Sequence, residues 1–414
     1  MRAQGEKEPM SAVPTNPTLP ATGRLAPFGE DAPVDQDYER ATGETLAQTL
    51  DLSRWDAGDR FADALSRMEV EIAQAKKTED GIVRAIRSRV FEALRERPNG
   101  PKCSGVFAAS IDAIRKTQRT TLFNGLVEAC DATSLIYDTL PIQIIQVGVA
   151  LVNYHGHSST WAQRIFRRDV RIDSGSDIAD EIVNILTARQ GGAKPRLKVT
   201  DMLRRAIMTY AERAVLTDRA TAPWRMGHGN PLAYEILTGS GLVELIRLGV
   251  PLLSRLVLHQ KRFVFVTSET QKKHLLTIGN ALRPGEYAVV DDATGDLENI
   301  LQGHYRGEWE NLVKMLDNFK KEVGPRVVSG VYRASAMGPA HLFYAHADFV
   351  HEAALVAMAD SLLQEHRNFP MLIDIADGLC QTLFGGDTMT RAANAAFAEQ
   401  GDTHRYQPER MTRT

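Results

Sequence analysis

Asp131 is the residue whose type and neighbours point most directly to chemistry, because it interrupts an apolar stretch within residues 127–152, VEACDATSLIYDTLPIQIIQVGVALV. Leu126, Val127, Ala129 and Cys130 read as a buried strand, and Ala132-Thr133-Ser134 as a tight exit from it. A carboxylate held at a strand edge by a rigid sheet suits a hard divalent cation, which takes oxygen ligands. The same fragment also fits an Asx turn or a helix cap. Glu235 raises a second question. It lies among Leu232, Ala233, Tyr234, Ile236 and Leu237 in NPLAYEILTGSG, residues 230–241, which reads as a short strand ending in a Gly-Ser-Gly turn. An unpaired buried carboxylate costs on the order of several kcal/mol, so this acid needs a cation or hydrogen-bond donors. His155 and His157, in the loop 153–158, are capable of binding a metal but fit a polar loop better.

These acids need elements to hold them. Residues 1–40 contain Pro14, Pro17, Pro20, Pro27 and Pro33 and almost no aromatic residue, which predicts a flexible tail. Between 45 and 97, Phe61, Leu65, Met68, Ile72 and then Ile82, Ile86, Val90, Leu94 recur at three- and four-residue steps. The pattern predicts two amphipathic helices paired as an antiparallel hairpin, stopped at Pro-Asn-Gly-Pro, residues 98–101. A short helix at 110–119 leads into the strand before Asp131. The run 142–154 is β-branched and apolar, a buried strand or two. The connector 164–198 is the most basic part of the chain, with Arg167, Arg168, Arg171, Arg189, Lys194, Arg196 and Lys198. It reads equally as a solvated insertion and as a phosphate-binding surface. Asp201 caps a helix, MLRRAIMTYAERAVLTDR, with Leu203, Ile207, Tyr210 and Ala214 on one face and Glu212 beside it. A helix at 242–258 and a strand at 263–267 complete a β-α-β unit of the α/β type. Strands at 327–333 and 341–350 form a hairpin, followed by a helix at 351–366, the apolar run 371–376, Asp377, and a closing helix at 388–400. Residues 401–414 are expected to be a second tail.

At 414 residues the chain can bury a large core. Its 49 Lys and Arg against 52 Asp and Glu leave a formal charge of -3, so it has no global basic footprint, and any nucleic-acid contact must come from local patches or a partner. The three cysteines, Cys103, Cys130 and Cys380, lack C-x-x-C spacing, which disfavours a zinc site and suits reduced thiols in a cytoplasmic protein. Neither a signal-like leader nor a membrane-length apolar segment is evident. Absence of G-x-x-x-x-G-K-[ST] argues against a P-loop motor.

The order of these features resembles the NurA family of DNA-end-processing nucleases over residues 125–395. Asp131-Ala132-Thr133-Ser134 stands where that family has Asp-Gly-Ser, Glu212 at its helical glutamate, and Glu235 to Ser240 at its second acidic edge. Phe369-Pro370-Met371-Leu372-Ile373-Asp374-Ile375-Ala376-Asp377 matches a late Tyr-Pro-x-x-Leu-x-x-Ala-His motif, with Asp377 in place of the histidine. VYRAS and LFYAHADFV match the paired strands before it. The resemblance implies an RNase H-like mixed sheet flanked by helices, with an N-terminal helical extension over 45–120 for docking or dimerisation, and a nuclease domain over 121–400 with a basic insertion at about 160–200. It implies that Asp131, Glu212, Glu235 and Asp377 gather around two Mg2+ or Mn2+ ions to hydrolyse DNA, with Asp374 as rival to Asp377. It further implies a homodimer on a HerA-type hexameric translocase, in DNA repair or defence against foreign DNA. The alternative is a catalytically inactive adaptor that caps the translocase ring, in which the acids pair with arginines. For Glu212, pairing with Arg205, Arg213 or Arg219 is as good an account as catalysis; for Asp377 the rival role is a cap at Gly378.

Overall fold

A computed structural model describes residues 35–55, 61–139, 142–167, 183, 199–268, 272–301 and 310–401. The proline-rich tail through residue 34, the tail from 402, and most of the basic connector, including Arg168, Arg171, Arg189, Lys194, Arg196 and Lys198, lie outside the described residues. The chain divides into two units, Met1–Thr78 and Glu79–Thr414.

The first unit holds two short helices, Asp35–Thr42 and Leu46–Leu50. A capping box starts the second: Gln48 N–H donates to Thr45 Oγ1, and Thr45 N–H donates to Gln48 Oε1. The helix Phe61–Ala85 also begins here. The expected hairpin is absent, because this helix passes through a π-turn, Ile86–Val90, straight into Phe91–Glu96. Gly81 is its weakest point, and a lone glycine costs a helix only about 1 kcal/mol, too little to break it.

The second unit is built on a nine-stranded sheet in the order β1-β7-β8-β9-β6-β5-β2-β3-β4. The strands are β1 (Gly105–Ala108), β2 (Val127–Asp138), β3 (Gln143–Val152), β4 (Ser158–Arg167), β5 (Trp224–His228), β6 (Phe263–Thr267), β7 (Glu286–Asp292), β8 (Val327–Arg333) and β9 (His341–His346). β4, β3 and β2 form an antiparallel meander, while β2, β5 and β6 are parallel. That order is the RNase H-like arrangement the sequence led us to expect. β9, β8, β7 and β1 extend it by antiparallel pairing. β1 lies inside the stretch 45–120 that reads as helical; it is too short and too close to glycine and proline to show a period.

Helices cover both faces. On one, Val199–Asp218 and Val243–Ser254 pack over Cys130, Val149, Leu151 and Phe265. On the other, Ile111–Thr117, Val350–Ser361 and Met371–Phe384 pack over Ala129, Val152, Met226 and Val264. The short-helix reading at 110–119 holds, with the Ser110 hydroxyl accepting the Ala113 N–H as its N-cap. The 202–219 reading holds as well, although the helix begins at Val199, so that Asp201 lies within it.

Candidate active site

Alternation along β2 sends Asp131, like Ala129 and Thr133, toward the helix Met371–Phe384, and sends Cys130 toward the helix Val199–Asp218. Two hydrogen bonds fix these directions: Gln381 Nε2 donates to Thr133 Oγ1 at 3.1 Å, and the Cys130 thiol lies 3.7 Å from the Glu212 carbonyl. Asp131 is not at a turn. β2 continues seven residues beyond it, paired with β3 from Asp131 opposite Ala150 to Asp138 opposite Gln143. The expected exit at Ala132-Thr133-Ser134 is therefore corrected to strand interior: β-branched and aromatic residues downstream keep the chain extended.

What makes Asp131 special is its other side. β5 pairs with β2 only from Trp224 opposite Val127 to Gly227 opposite Cys130. Just past that last pair the parallel pairing ends, leaving between β2 and the carboxyl end of β5 a break in the ladder, the crevice, at the kind of switch point where open α/β sheets place their ligands.

The crevice gathers three acids. Asp131 is 8% exposed and Glu212 6% exposed, while Asp377 is half-buried on the helix Met371–Phe384. Burial first and then the charge of Glu212 push the Asp131 carboxyl up to about 8; the Ala132 N–H pulls it down by more than Asp377 adds, and Arg213 pulls down least. The Ala132 N–H donates to Asp131 Oδ1 at 2.8 Å, and the buried Cys380 thiol donates to the Asp131 carbonyl at 3.2 Å. Glu212 faces Arg213, whose Nη1 is 2.5 Å from Glu212 Oε1. Arg213 is itself clamped: its Nη2 donates to the His228 and Asn230 carbonyls, and its guanidinium lies over the Phe265 ring at 4.5 Å. Glu212 is thus a buried, paired acid, not a surface charge.

Asp374 and Asp377 differ in their commitments. Asp374 accepts Gln364 Nε2 at 2.6 Å and is ion-paired with Arg367. Among the described residues Asp377 receives one long contact, from Gln381 Nε2 at 3.5 Å. Asp377 lies inside the helix and does not cap a turn at Gly378, because the helix runs on to Phe384.

Glu235 is placed differently from its sequence reading. Residues Tyr234–Leu237 form a helical turn, with the Leu237 N–H donating to the Ala233 carbonyl, so no second acidic strand exists there. Leu232, Ala233, Ile236 and Leu237 are buried while Tyr234 is exposed, a helical spacing mistaken for an apolar strand. Glu235 is half-buried and is not among the charges acting on Asp131.

The strand that does stand beside β2 is β5, which sequence reading missed because Arg225 and His228 break its apolar pattern. Arg225 is buried, with Nε donating to the Leu216 carbonyl and Nη2 to that of Ala220, so it serves the open end of the helix Val199–Asp218. His228 ends β5 and feels the charges of Glu212, Asp377 and Asp374, although burial is the largest influence and lowers its pKa. A Gly-His pair closing the short run Trp224-Arg225-Met226 was the available signal. His155 and His157 sit in the β3–β4 turn, their N–H groups donating to Asn153 Oδ1, as a polar loop should.

Three carboxylates against one committed arginine leave the crevice anionic, and carboxylate oxygens are the donors Mg2+ and Mn2+ prefer. In charge and donor type the residues fit a divalent cation. Among the described residues no three His, Cys, Asp or Glu side chains are grouped closely enough to hold an ion as they stand, and the pairing of Glu212 with Arg213 is one reason.

Fold and site together define an α/β protein with a buried acidic crevice at a strand switch point. No protein-family model and no curated protein matches the sequence. The structure is similar to that of the NurA nuclease from Sulfolobus solfataricus, at 8% identity and a TM-score of 0.45, over 84% of this chain and 99% of that one. It is also similar to NurA bound to dAMP and manganese, at 9% identity and a TM-score of 0.32, over 78% and 97% of the two chains. The endonuclease V of Bacillus subtilis matches at 9% identity and a TM-score of 0.30, over 67% and 83%. Among the described residues no helix is long and apolar enough to cross a membrane.

Proposed function

We propose that this chain is a metal-dependent deoxyribonuclease whose Asp131, Glu212 and Asp377 hold divalent ions, Mg2+ or Mn2+ and two in number, against a DNA phosphodiester. The observation that carries the reading is the state of Asp131: burial and two neighbouring acids push it up to about 8 against the pull of Arg213, and among the described residues no cation is ion-paired with it. Bound ions would supply an activated water and neutralise charge at the phosphate. The chain's own part is positional. β2 fixes Asp131, Arg213 fixes Glu212, and the helix Met371–Phe384 presents Asp377 with few competing contacts. Asp374, tied to Arg367 and Gln364, orients that helix and leaves the late ligand position to Asp377. Glu235 has no part in this set.

The balance of charge supports a partner. With a formal charge of -3 the protein lacks a general grip on phosphate. A HerA-type hexameric translocase would supply that grip and feed DNA to a homodimer of this chain, in end processing or in defence against foreign DNA.

A second reading has a specific observation behind it. Glu212 pairs with Arg213 and Asp374 with Arg367, as expected of a catalytically inactive adaptor that caps the translocase ring. Degradation of linear DNA in Mn2+, with and without the translocase, separates the two. Cleavage by the wild type that falls at least a hundredfold in Asp131→Ala supports the nuclease; a folded, assembling wild type that leaves DNA intact supports the adaptor.

A further inference from the structure

We propose that a cavity beside the start of β5 is a guanine-nucleotide site, with Trp224 and Glu352 reading the base and Arg262 taking the phosphate. The cavity has a volume of about 270 Å³, close to the lower end of the roughly 300–1,000 Å³ of small-molecule sites. It is separate from the acidic crevice. Trp224 opens β5 opposite Val127, whereas Asp131 stands four residues further along β2, roughly 13 Å away at the rise of a strand.

Phe349, Glu352 and Val356 line the cavity at three- and four-residue steps, from the residue before the helix Val350–Ser361 along one side of it. Thr121, in the π-turn Gln118–Leu122, lines it as well. Val356 is 2% exposed and Trp224 8%, so the inner wall is apolar. The Trp224 and Phe349 rings meet edge to face at 6.5 Å and form a corner suited to a flat ring. Arg262, immediately before β6, lays its guanidinium over the Phe349 ring at 5.2 Å, and its carbonyl accepts the Arg225 N–H at 3.0 Å.

The polar groups around this corner are uncommitted. Arg262 and Glu352 line one cavity, yet among the described residues neither is ion-paired, with the other or with a third group. The Trp224 indole N–H has no hydrogen-bond partner among the described residues and is not sealed from solvent; the cavity is the opening that Trp224 lines. A donor on a side chain this buried calls for an acceptor. The cavity therefore offers one N–H donor, one carboxylate with two oxygens, and a separate cation. Guanine is the base whose pairing edge presents one acceptor, O6, followed by two donors, N1–H and the N2 amino group. The indole N–H suits the first and the carboxylate the other two. Adenine has one donor to give the carboxylate, and thymine would set a carbonyl against it. The flat face of the base goes to the aromatic corner, as with unstacked bases elsewhere, and the phosphate is left for Arg262. A free nucleotide and an unpaired guanine in a DNA strand present this same chemistry.

The test is calorimetric titration of the full chain in chelator, which keeps ion-dependent binding out of the signal, with dGMP, dAMP, dTMP, deoxyguanosine and a thymidine pentanucleotide carrying one central guanine. We expect dGMP to bind at least about tenfold tighter than dAMP or dTMP. Glu352→Gln should weaken dGMP at least about tenfold and erase that preference, while Arg262→Gln should weaken dGMP about tenfold and deoxyguanosine less than about twofold. Both side chains are exposed and unpaired, so melting temperatures close to that of the wild type should accompany these losses. Tighter binding of dGMP than of the pentanucleotide assigns the site to a free nucleotide, and the reverse assigns it to a guanine within DNA. Equal binding of the three nucleotides, dGMP binding that neither substitution alters, or no binding of dGMP and pentanucleotide at millimolar concentration overturns the proposal.

Discussion

Asp131 shows how a buried acid can cost a fold stability. Its pKa is raised from 3.8 to about 8, so the folded state favours the protonated form and the unfolded state ionises first. The stabilising contribution of the neutral acid is therefore complete below about pH 4 and is lost as pH rises through 8. Asp131→Asn keeps the shape and removes the penalty. Its melting temperature should equal that of the wild type near pH 4 and exceed it at pH 8, each kcal/mol regained being worth about 2–4 °C. Calorimetry of the two proteins in chelator across that range checks the sign; a variant less stable at pH 8 than at pH 4, relative to wild type, contradicts it.

At the scale of elements, the helix Met371–Phe384 brings Asp377 to the crevice, and two features dock it. Asp360 is fully buried, accepts the Tyr154 hydroxyl, and takes the Leu372 N–H at 2.9 Å, satisfying a donor in the helix's first turn. At the far end Phe384 lies against Gly148 so closely that an added Cβ would fall 2.2 Å from its ring. Gln146 Nε2 donates to the Phe384 carbonyl beside it. Asp360→Ala leaves two buried donors unpaired and should cost about 1–3 kcal/mol. Gly148→Val should cost about 1–3 kcal/mol by overpacking. Urea unfolding measures both losses, and amide exchange in the segment 371–384 should rise in each. An unchanged midpoint in either variant would show that the helix is held elsewhere.

For the whole molecule, an anionic crevice in a sheet buried on both faces means that ligand binding and folding are coupled. An ion that binds only the folded chain stabilises it by about 2.7 kcal/mol at a hundred times its dissociation constant. Millimolar Mn2+ should therefore raise the melting temperature of the wild type measurably at pH 7 and that of Asp131→Ala far less. Equal shifts in both proteins would place the binding outside the crevice. Arg87, in the π-turn Ile86–Val90, holds that turn on the sheet: its guanidinium makes a bidentate pair with Glu286 of β7 and reaches the Ala281 carbonyl.

The sequence by itself determined the elements with a strong period or composition. β3, β6, β8, the helix around Glu212 and the closing helix at Gly386–Glu399 were legible because buried strands are β-branched runs and amphipathic helices repeat every three or four residues. Asp131 stood out because an acid in an apolar run needs a reason. Tertiary structure decided the rest. Whether NPLAYEILTGSG is strand or helix depended on which of its residues found a core, and β5 was hidden because its arginine is buried by hydrogen-bonding the carbonyls that end the helix Val199–Asp218, a use that only the chain's turn back onto that helix creates. The neighbourhood of Asp131 was equally invisible: Glu212 and Asp377 come within electrostatic reach of it because β5 stops where β2 continues and because helices from opposite faces reach that gap. Such convergence depends on strand order, and strand order is a property of long-range pairing that no local pattern encodes.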